Sequence, residues 1–577
     1  MRSAKEVECS GMDNDQMEER SFGQPIADEK PPGGPPLQTE KAHQISARMH
    51  VGMRTRWVWW TIAGCLLWVF PYFPKVNNPN ENVRLYMTAA LVEEGTYAID
   101  TQRQKWGWTN DAACVERHPD GRRRPCEHSY SVKPWTRHHY SVKAPGTSLL
   151  GVPFYALYAW LNGKAELDRA VATWVVRAGA TILPMLLFYA WYLRSLAQEC
   201  HPGWATLSGL VVALGSPMFA YGLLFVSHAL SAAAAFTAFL WLTRARRHRE
   251  IRLSTATAAG LCAAGTSLLE YPCFPVSVLL CLYALVSLRR RRALVAFGLG
   301  ALIPTLVMMH FQQSAFGNAL SPGHLYVETA AFREVHERGF FGGTHFHPEA
   351  ARQLLFSPRL GLIALSPFFV FALPGLWFRL RADRSEGLLL TTTIVGLFLA
   401  ICMLDNWDGG WSVGPRYLVV LYPFLGYAAA HALSVFGTLQ VASKAVNAAA
   451  VGLAAASLIA SAVPSAWFPH PPPSIAQPLR ELFIPLIRAG YAPINGTTPW
   501  GEFGALGMTP LLLLLCLGLV SAVRHLPRRL QTLAYACLPA SAALLPHLWL
   551  VSPSPPAVEG ALDYVRQVWT PIPTSDR

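Results

Sequence analysis

Charge is scarce in this chain. Only 14 % of its 577 residues are Asp, Glu, Lys or Arg, whereas soluble domains carry about a quarter, so the composition excludes an ordinary water-soluble enzyme. No Gly-rich phosphate loop closes on Gly-Lys-Ser/Thr, which argues against ATP-driven work by this chain alone. Zinc-type cysteine or histidine spacing is missing; the histidines at 324, 336, 345 and 347 sit irregularly in a long loop, a poor pattern for a metal centre. There is no serine-hydrolase nucleophile motif, no repeat of solenoid period and no inverted repeat. No signal-peptide pattern precedes the first apolar stretch near Val58. Of 11 cysteines, most lie inside apolar blocks, where a thiol is a small buried hydrophobe. Cys114 and Cys126 alone fall in a long polar loop. They form a disulfide if that loop faces an oxidising compartment, but spacing leaves an unpaired role equally open.

Long apolar blocks dominate what is present, with 52 % hydrophobic residues overall. A helix needs about 20 such residues to cross a hydrocarbon core of about 30 Å. The blocks are too long and too uniformly apolar for barrel strands, so the expected fold is an all-α polytopic membrane protein. The net charge of +13 comes mainly from arginine clusters at block ends, the positive-inside pattern, and does not point to nucleic acid. After a disordered cytoplasmic tail over 1–50, rich in Glu, Gln, Pro and Gly, an outgoing anchor is expected at 57–73. The further candidate spans are 170–192, 204–218, 220–242, 252–269, 273–288, 293–310, 360–378, 387–404, 416–435, 446–463, 507–523 and 531–552. With 148–161 too short to span, the count is about 11–13. Arg194, Arg244–Arg249, Arg289–Arg292, Arg379–Arg384 and Arg524–Arg529 then share the cytoplasmic side. The polar loops 72–147, 311–359, 405–415 and 464–506 gather opposite, with 553–577 as a tail on that far side. Within the first loop, Val83–Leu91 is expected as a helix lying along the membrane, followed by a charged insert over Gln102–Tyr140.

Four polar clusters carry candidate chemistry. Asn77, Asn80, Glu81 and Arg84, with Tyr86, follow the anchor. A carboxylate here can accept a proton from an attacking hydroxyl or hold a divalent ion against phosphate oxygens. Glu81 and Arg84, three apart on a helix, equally suit a local ion pair. Next, Tyr140-Ser141-Val142-Lys143-Ala144-Pro145-Gly146 places an ammonium at headgroup depth, as a phosphate contact or a snorkelling side chain. The segment Asp405-Asn406-Trp407-Asp408-Gly409-Gly410-Trp411-Ser412-Val413-Gly414-Pro415-Arg416-Tyr417 offers aromatic faces for sugar and a forked arginine for phosphate, although tryptophan is also common at interfaces. Glu270 ends an apolar block; a carboxylate at that depth is costly and therefore a functional candidate, unless the helix ends there in water.

In layout and in these motifs the chain resembles the GT-C class of inverting membrane glycosyltransferases, which includes the aminoarabinose transferases, protein O-mannosyltransferases and polyprenyl-phosphate-sugar-dependent mannosyltransferases. Its acidic motif after the first span is represented by Asn80-Glu81, with only the second acid present. The family's Lys-Pro element corresponds to Lys143 and Pro145, separated by Ala144. The 407–417 stretch resembles a segment in uncharacterised bacterial members. The resemblance implies sugar transfer from a polyprenyl-phosphate carrier to a lipid, glycan or protein acceptor outside a bacterial inner membrane. Glu81 is then the catalytic carboxylate, and Lys143, Arg84 and Arg416 the donor-phosphate contacts. Asn80, Tyr86, Tyr140, Glu270, Asp405, Trp407, Asp408, Trp411 and Tyr417 line the cleft, with no required cofactor beyond an optional divalent ion. A transporter or flippase for a lipid-linked glycan, or a non-catalytic assembly protein, are the readings from other classes.

The topology is testable directly. Reporters active only in the cytoplasm should be active when fused after Arg249 or Arg529 and silent within 464–506. A reversed or mixed pattern would overturn the expected arrangement.

Overall fold

The computed structural model describes residues 55–548 except 73–77, 128–132, 164–166, 340–341, 439–442, 525 and 527–528, with a few positions between 559 and 565. The 1–50 tail, most of the 553–577 tail and Asn77 lie outside the described residues.

The protein is a polytopic helical membrane protein. Helices Arg169–Glu199, Arg291–Phe316, Arg384–Cys402, Arg416–Gly437, Lys444–Trp467 and Gly504–Val523 are each long and apolar enough to cross a bilayer, and Pro202–Leu214, Leu253–Leu269 and Tyr271–Ser287 are shorter apolar helices. The elements that position the site come first. Helix α1 covers 55–69, α2 is Pro79–Glu93, α3 Asp100–Trp106 and α4 Gly146–Asn162. They are followed by α5 (Arg169–Glu199), α6 (Pro202–Leu214) and α7 (His228–His248).

The sequence reading is corrected at several places. The expected membrane-lying segment is helical, but α2 is buried from Asn80 to Ala90 and packs against α4 and a small sheet. That sheet is the charged insert. Strands β1 (Ala112–Arg117), β2 (Arg123–Pro125) and β3 (Thr136–Ser141) pair antiparallel in the order β2-β1-β3, with Cys114 and Cys126 disulfide-bonded. It escapes a periodicity reading because β1 is covered on both faces from Ala112 to Glu116, so no polar alternation marks it. Glu116 pairs there with Arg124, 2.9 Å away.

Proline explains several span boundaries. The expected 204–218 and 220–242 spans are α6 and α7, joined by thirteen buried residues, 215–227, irregular apart from a short helical turn at Met218–Tyr221. The 360–378 block breaks at Pro367 into Leu362–Leu365, a 3₁₀ turn and Ala372–Ala382. Three π turns occur among the described residues, Arg177–Ile182, Leu458–Ala462 and Leu479–Phe483. Each ends two residues before a proline: Pro184, Pro464 and Pro485. A proline has no N–H to close the α-helical bond to the carbonyl four residues back, so the preceding turn widens.

Two ionic ends bracket the helices. At one, Glu199 of α5 meets Arg244 at 2.9 Å and Arg247 at 2.5 Å from α7, and Glu386 meets Arg379 at 2.6 Å and Arg247. Arg246 pairs with Asp383. The expected cytoplasmic clusters Arg244–Arg249 and Arg379–Arg384 therefore share one end.

Helices Leu253–Leu269 and Arg291–Phe316 cross through glycine. A Cβ on Gly260 would stand 1.9 Å from the Phe297 carbonyl, and one on Gly300 1.9 Å from that of Thr257. Gly300→Val should therefore lower folded yield and thermal stability by at least about 1–3 kcal/mol. Gly265→Ala, facing open space, should leave both unchanged. Equal effects in a detergent melting assay would remove the crossing as the cause.

Candidate active site

At the other end of α5 and α7 a second ionic cluster forms. Asn78 caps α2, accepting the Asn80 N–H at 3.0 Å, and Pro79 opens its first turn. That start aims Glu81 inward, where it is 1 % exposed. The expected local Glu81–Arg84 pair does not form. Glu81 is held in a fork by Arg177 of α5, Nε to Oε1 at 2.8 Å and Nη2 to Oε2 at 2.6 Å, and Oε1 also accepts the Phe225 N–H at 2.6 Å. Arg177 Nη1 reaches the Pro71 carbonyl at 3.2 Å, just past α1. One ion pair thus joins α1, α2, α5 and the irregular 215–227 segment. Burial raises the Glu81 pKa, but the Arg177 charge and these hydrogen bonds pull it below the usual glutamate value.

Arg84, also 1 % exposed, makes a second knot. Its Nη1 donates to the Asn80 carbonyl at 2.8 Å and to the Asn80 side chain, and its Nη2 donates to Ser227 Oγ at 2.8 Å. Glu270 lies 4.0 Å from Arg84 and 3.1 Å from His228 Nδ1, and accepts from Ser227. The helix does end at Glu270, but inside this cluster, not in water.

The rim above is partly exposed. Lys143 pairs with Asp111 at 3.2 Å, and Asp111 also lies in the field of Arg416 and Arg84. Burial raises the Asp111 pKa, and these cations bring it below the ordinary aspartate value. Arg416 donates to Tyr417 Oη at 3.0 Å. Its approach depends on Gly409, in left-handed backbone at φ +68°, where a Cβ would stand 2.7 Å from Arg416 Nε. Gly414, at φ +67°, seats the loop against Pro217, and a Cβ there would lie 2.4 Å from it. The Asp405–Tyr417 segment thus contributes its C-terminal half to the cluster.

Of the residues singled out by sequence, Asn80, Glu81, Arg84, Lys143, Glu270, Arg416 and Tyr417 come together. Others do not. Tyr86 donates to the Trp106 and Gly107 carbonyls, both at 3.1 Å, and Tyr140 packs on Phe316. Asp408 faces Arg359 at 3.7 Å, Asp405 turns to His347, Trp407 packs partly buried against the core and Trp411 is 41 % exposed. The four loop histidines form two separate pairs, His324–His336 and His345–His347.

Sequence reasoning missed Arg177, Asp111, Ser227 and His228. Arg177 and His228 had a signal, since each is an ionisable residue inside an apolar block. Asp111 and Ser227 had none.

No family model matches the chain, and no curated protein matches it. In structure it is similar to ArnT from Cupriavidus metallidurans in the apo state, with TM-score 0.39 and 13 % identity over 92 % of this chain and 90 % of that one. It is also similar to ArnT bound to undecaprenyl phosphate, with TM-score 0.38 and 14 % identity over 87 % and 78 %. A third similarity is to the oligosaccharyltransferase AglB from Archaeoglobus fulgidus, solved with an inhibitory peptide and a dolichol-phosphate. There the TM-score is 0.40 and identity 12 %, over 75 % of this chain and 57 % of AglB. At such identity no residue correspondence follows.

Arg177→Met should destabilise the protein by about 3–5 kcal/mol, because it strands a buried carboxylate, and Glu81→Met in the same chain should restore much of that. Because the Glu81 pKa is lowered, the wild-type contribution is complete above the usual glutamate value and is lost only as pH falls through the lowered one. Unfolding in detergent across pH checks both points; simply additive losses would deny the pairing.

Proposed function

We propose that this protein transfers a sugar from a polyprenyl-phosphate carrier to an acceptor at the ionic cluster of Glu81, Arg84 and Glu270. The observation that carries the reading is the charge balance of the cluster. Four cations, Arg84, Lys143, Arg177 and Arg416, face three carboxylates, Glu81, Asp111 and Glu270. The excess of one positive charge matches the single negative charge of a sugar phosphodiester. It also favours the transition state, in which the departing phosphate gains charge.

The exposure gradient divides the labour. Arg416 and Lys143, at the rim, make the direct phosphate contacts, Arg416 through its fork and Lys143 as a mobile point charge. Arg84 spends both terminal nitrogens on Asn80 and Ser227, so it adds charge from below. Glu81 orients the acceptor hydroxyl for single-displacement attack with inversion. Its fork with Arg177 makes it a weak base, but Oε2 keeps a lone pair free for one more hydrogen bond. Asp111 stands beside Lys143 at the rim, as the other carboxylate in reach of an acceptor. A transporter would place ionisable groups near the bilayer midplane. The buried ion pairs described above lie instead at the two helix ends.

Membranes carrying wild-type or variant protein, supplied with a panel of polyprenyl-phosphate sugars and a crude acceptor fraction, test the reading. Arg416→Ala and Lys143→Ala should raise the donor KM or abolish transfer. Glu81→Gln should lower kcat by about 10²–10⁴-fold at unchanged protein level, the range of acid–base assistance. Wild-type transfer with an unaffected Glu81→Gln and a dead Asp111→Asn would shift the acceptor role to Asp111. Full activity in all four variants would sink the proposal.

A further inference from the structure

A second constellation lies away from that ionic cluster, where the 342–347 segment meets Asp405. His345, His347 and Asp405 bring one ligand atom each to within 4.8 Å of one another. They come from two segments 60 residues apart in sequence, and the backbone stitches those segments together. Thr344 N–H donates to the Met403 carbonyl at 3.0 Å, His347 N–H to that of Cys402 at 3.0 Å, and Asp405 N–H to that of Gly342 at 2.9 Å. The pairing follows directly after the spanning helix Arg384–Cys402, so the Asp405 end of the constellation hangs on a rigid post.

The donor set is two imidazoles and a carboxylate, which suits zinc and its borderline divalent neighbours and suits magnesium or calcium poorly. Around zinc, ligand atoms at about 2.0–2.1 Å in a tetrahedron stand about 3.3 Å apart. His347 Nε2 and Asp405 Oδ1 are already 3.2 Å apart, and the two imidazole centroids are 4.1 Å apart. Thr344 supplies an outer support, donating to Asp405 Oδ1 at 2.6 Å and lying 3.0 Å from His345 Nδ1. With Nδ1 engaged by Thr344, Nε2 is the ring nitrogen of His345 left to serve as a ligand. His345 is exposed while His347 and Asp405 are partly covered, which leaves a fourth position to water.

We propose that His345, His347 and Asp405 form a zinc-class divalent metal site that clamps the 342–347 segment to the base of the Asp405–Tyr417 loop. The loop that delivers Arg416 to the ionic cluster then starts from a metal-fixed point. The sequence does carry a trace of it, because His345-Phe346-His347 in extended chain puts both imidazoles on one side.

The test uses the full chain in detergent, purified without a polyhistidine tag and stripped with chelator. Zinc should bind with a stoichiometry of one per chain, and cobalt should give the visible absorption of a four- or five-coordinate nitrogen–oxygen site. His345→Ala, on an exposed side chain, should leave metal-free thermal unfolding unchanged and weaken zinc binding at least about tenfold, with Asp405→Ala and His347→Ala weakening it as much or more. His324→Ala should leave binding intact. Absence of stoichiometric zinc binding, wild-type affinity in the three ligand variants, or loss of binding in His324→Ala instead would each overturn the proposal.

Discussion

The fork between Glu81 and Arg177 is the joint on which this end of the protein turns. Two charges this deeply buried are tolerable only when hydrogen bonds take up most of their remaining lone pairs and N–H groups, and here the surrounding backbone supplies two of those bonds. The Phe225 N–H, which no helix claims, finds its acceptor in Glu81, and the Pro71 carbonyl, past the last turn of α1, finds its donor in Arg177. Irregular backbone at membrane depth is acceptable only where protein satisfies it. The ion pair therefore supports the largely irregular stretch between α6 and α7, which brings Ser227 and His228 to Arg84 and Glu270.

Proline does the complementary work from within the helices. Arg177 opens the π turn that Pro184 provokes. A π turn adds a residue to the cycle and shifts the angular position of everything N-terminal to it relative to the rest of the helix. The guanidinium that meets Glu81 thus sits just where the helix has been rephased.

Much of the architecture is legible in the sequence because the bilayer imposes it. Long apolar blocks and arginine clusters suffice to place the helical segments and to group Arg244–Arg249 with Arg379–Arg384. The β1–β3 sheet was illegible because β1 is buried on both faces and short. The candidate site was legible by halves. Glu81, Lys143 and Arg416 stand out for their local company, but their partners do not. Arg177 lies 96 positions from Glu81, and Asp111 sits in a stretch with no pattern. The motif Asp405–Tyr417 reads as one unit in sequence, yet its two glycine turns send Arg416 and Asp405 to different neighbours. Local density of polar residues marks where chemistry is worth seeking; which groups meet is decided by chain paths that no local window contains.

The two ionic ends have a consequence of their own. Arg177 and Glu199 lie on one helix, 22 residues and hence about 33 Å apart, close to the thickness of a hydrocarbon core. A helix anchored by charge at both faces cannot slide along the membrane normal to relieve hydrophobic mismatch, so thinner or thicker lipid must be met by tilt or by deformation of the bilayer itself. The ionic cluster, built on the same frame, keeps a fixed height relative to one leaflet. On the proposed function, a carrier held in that leaflet needs only lateral diffusion to reach Lys143 and Arg416, and the encounter becomes a search in two dimensions instead of three.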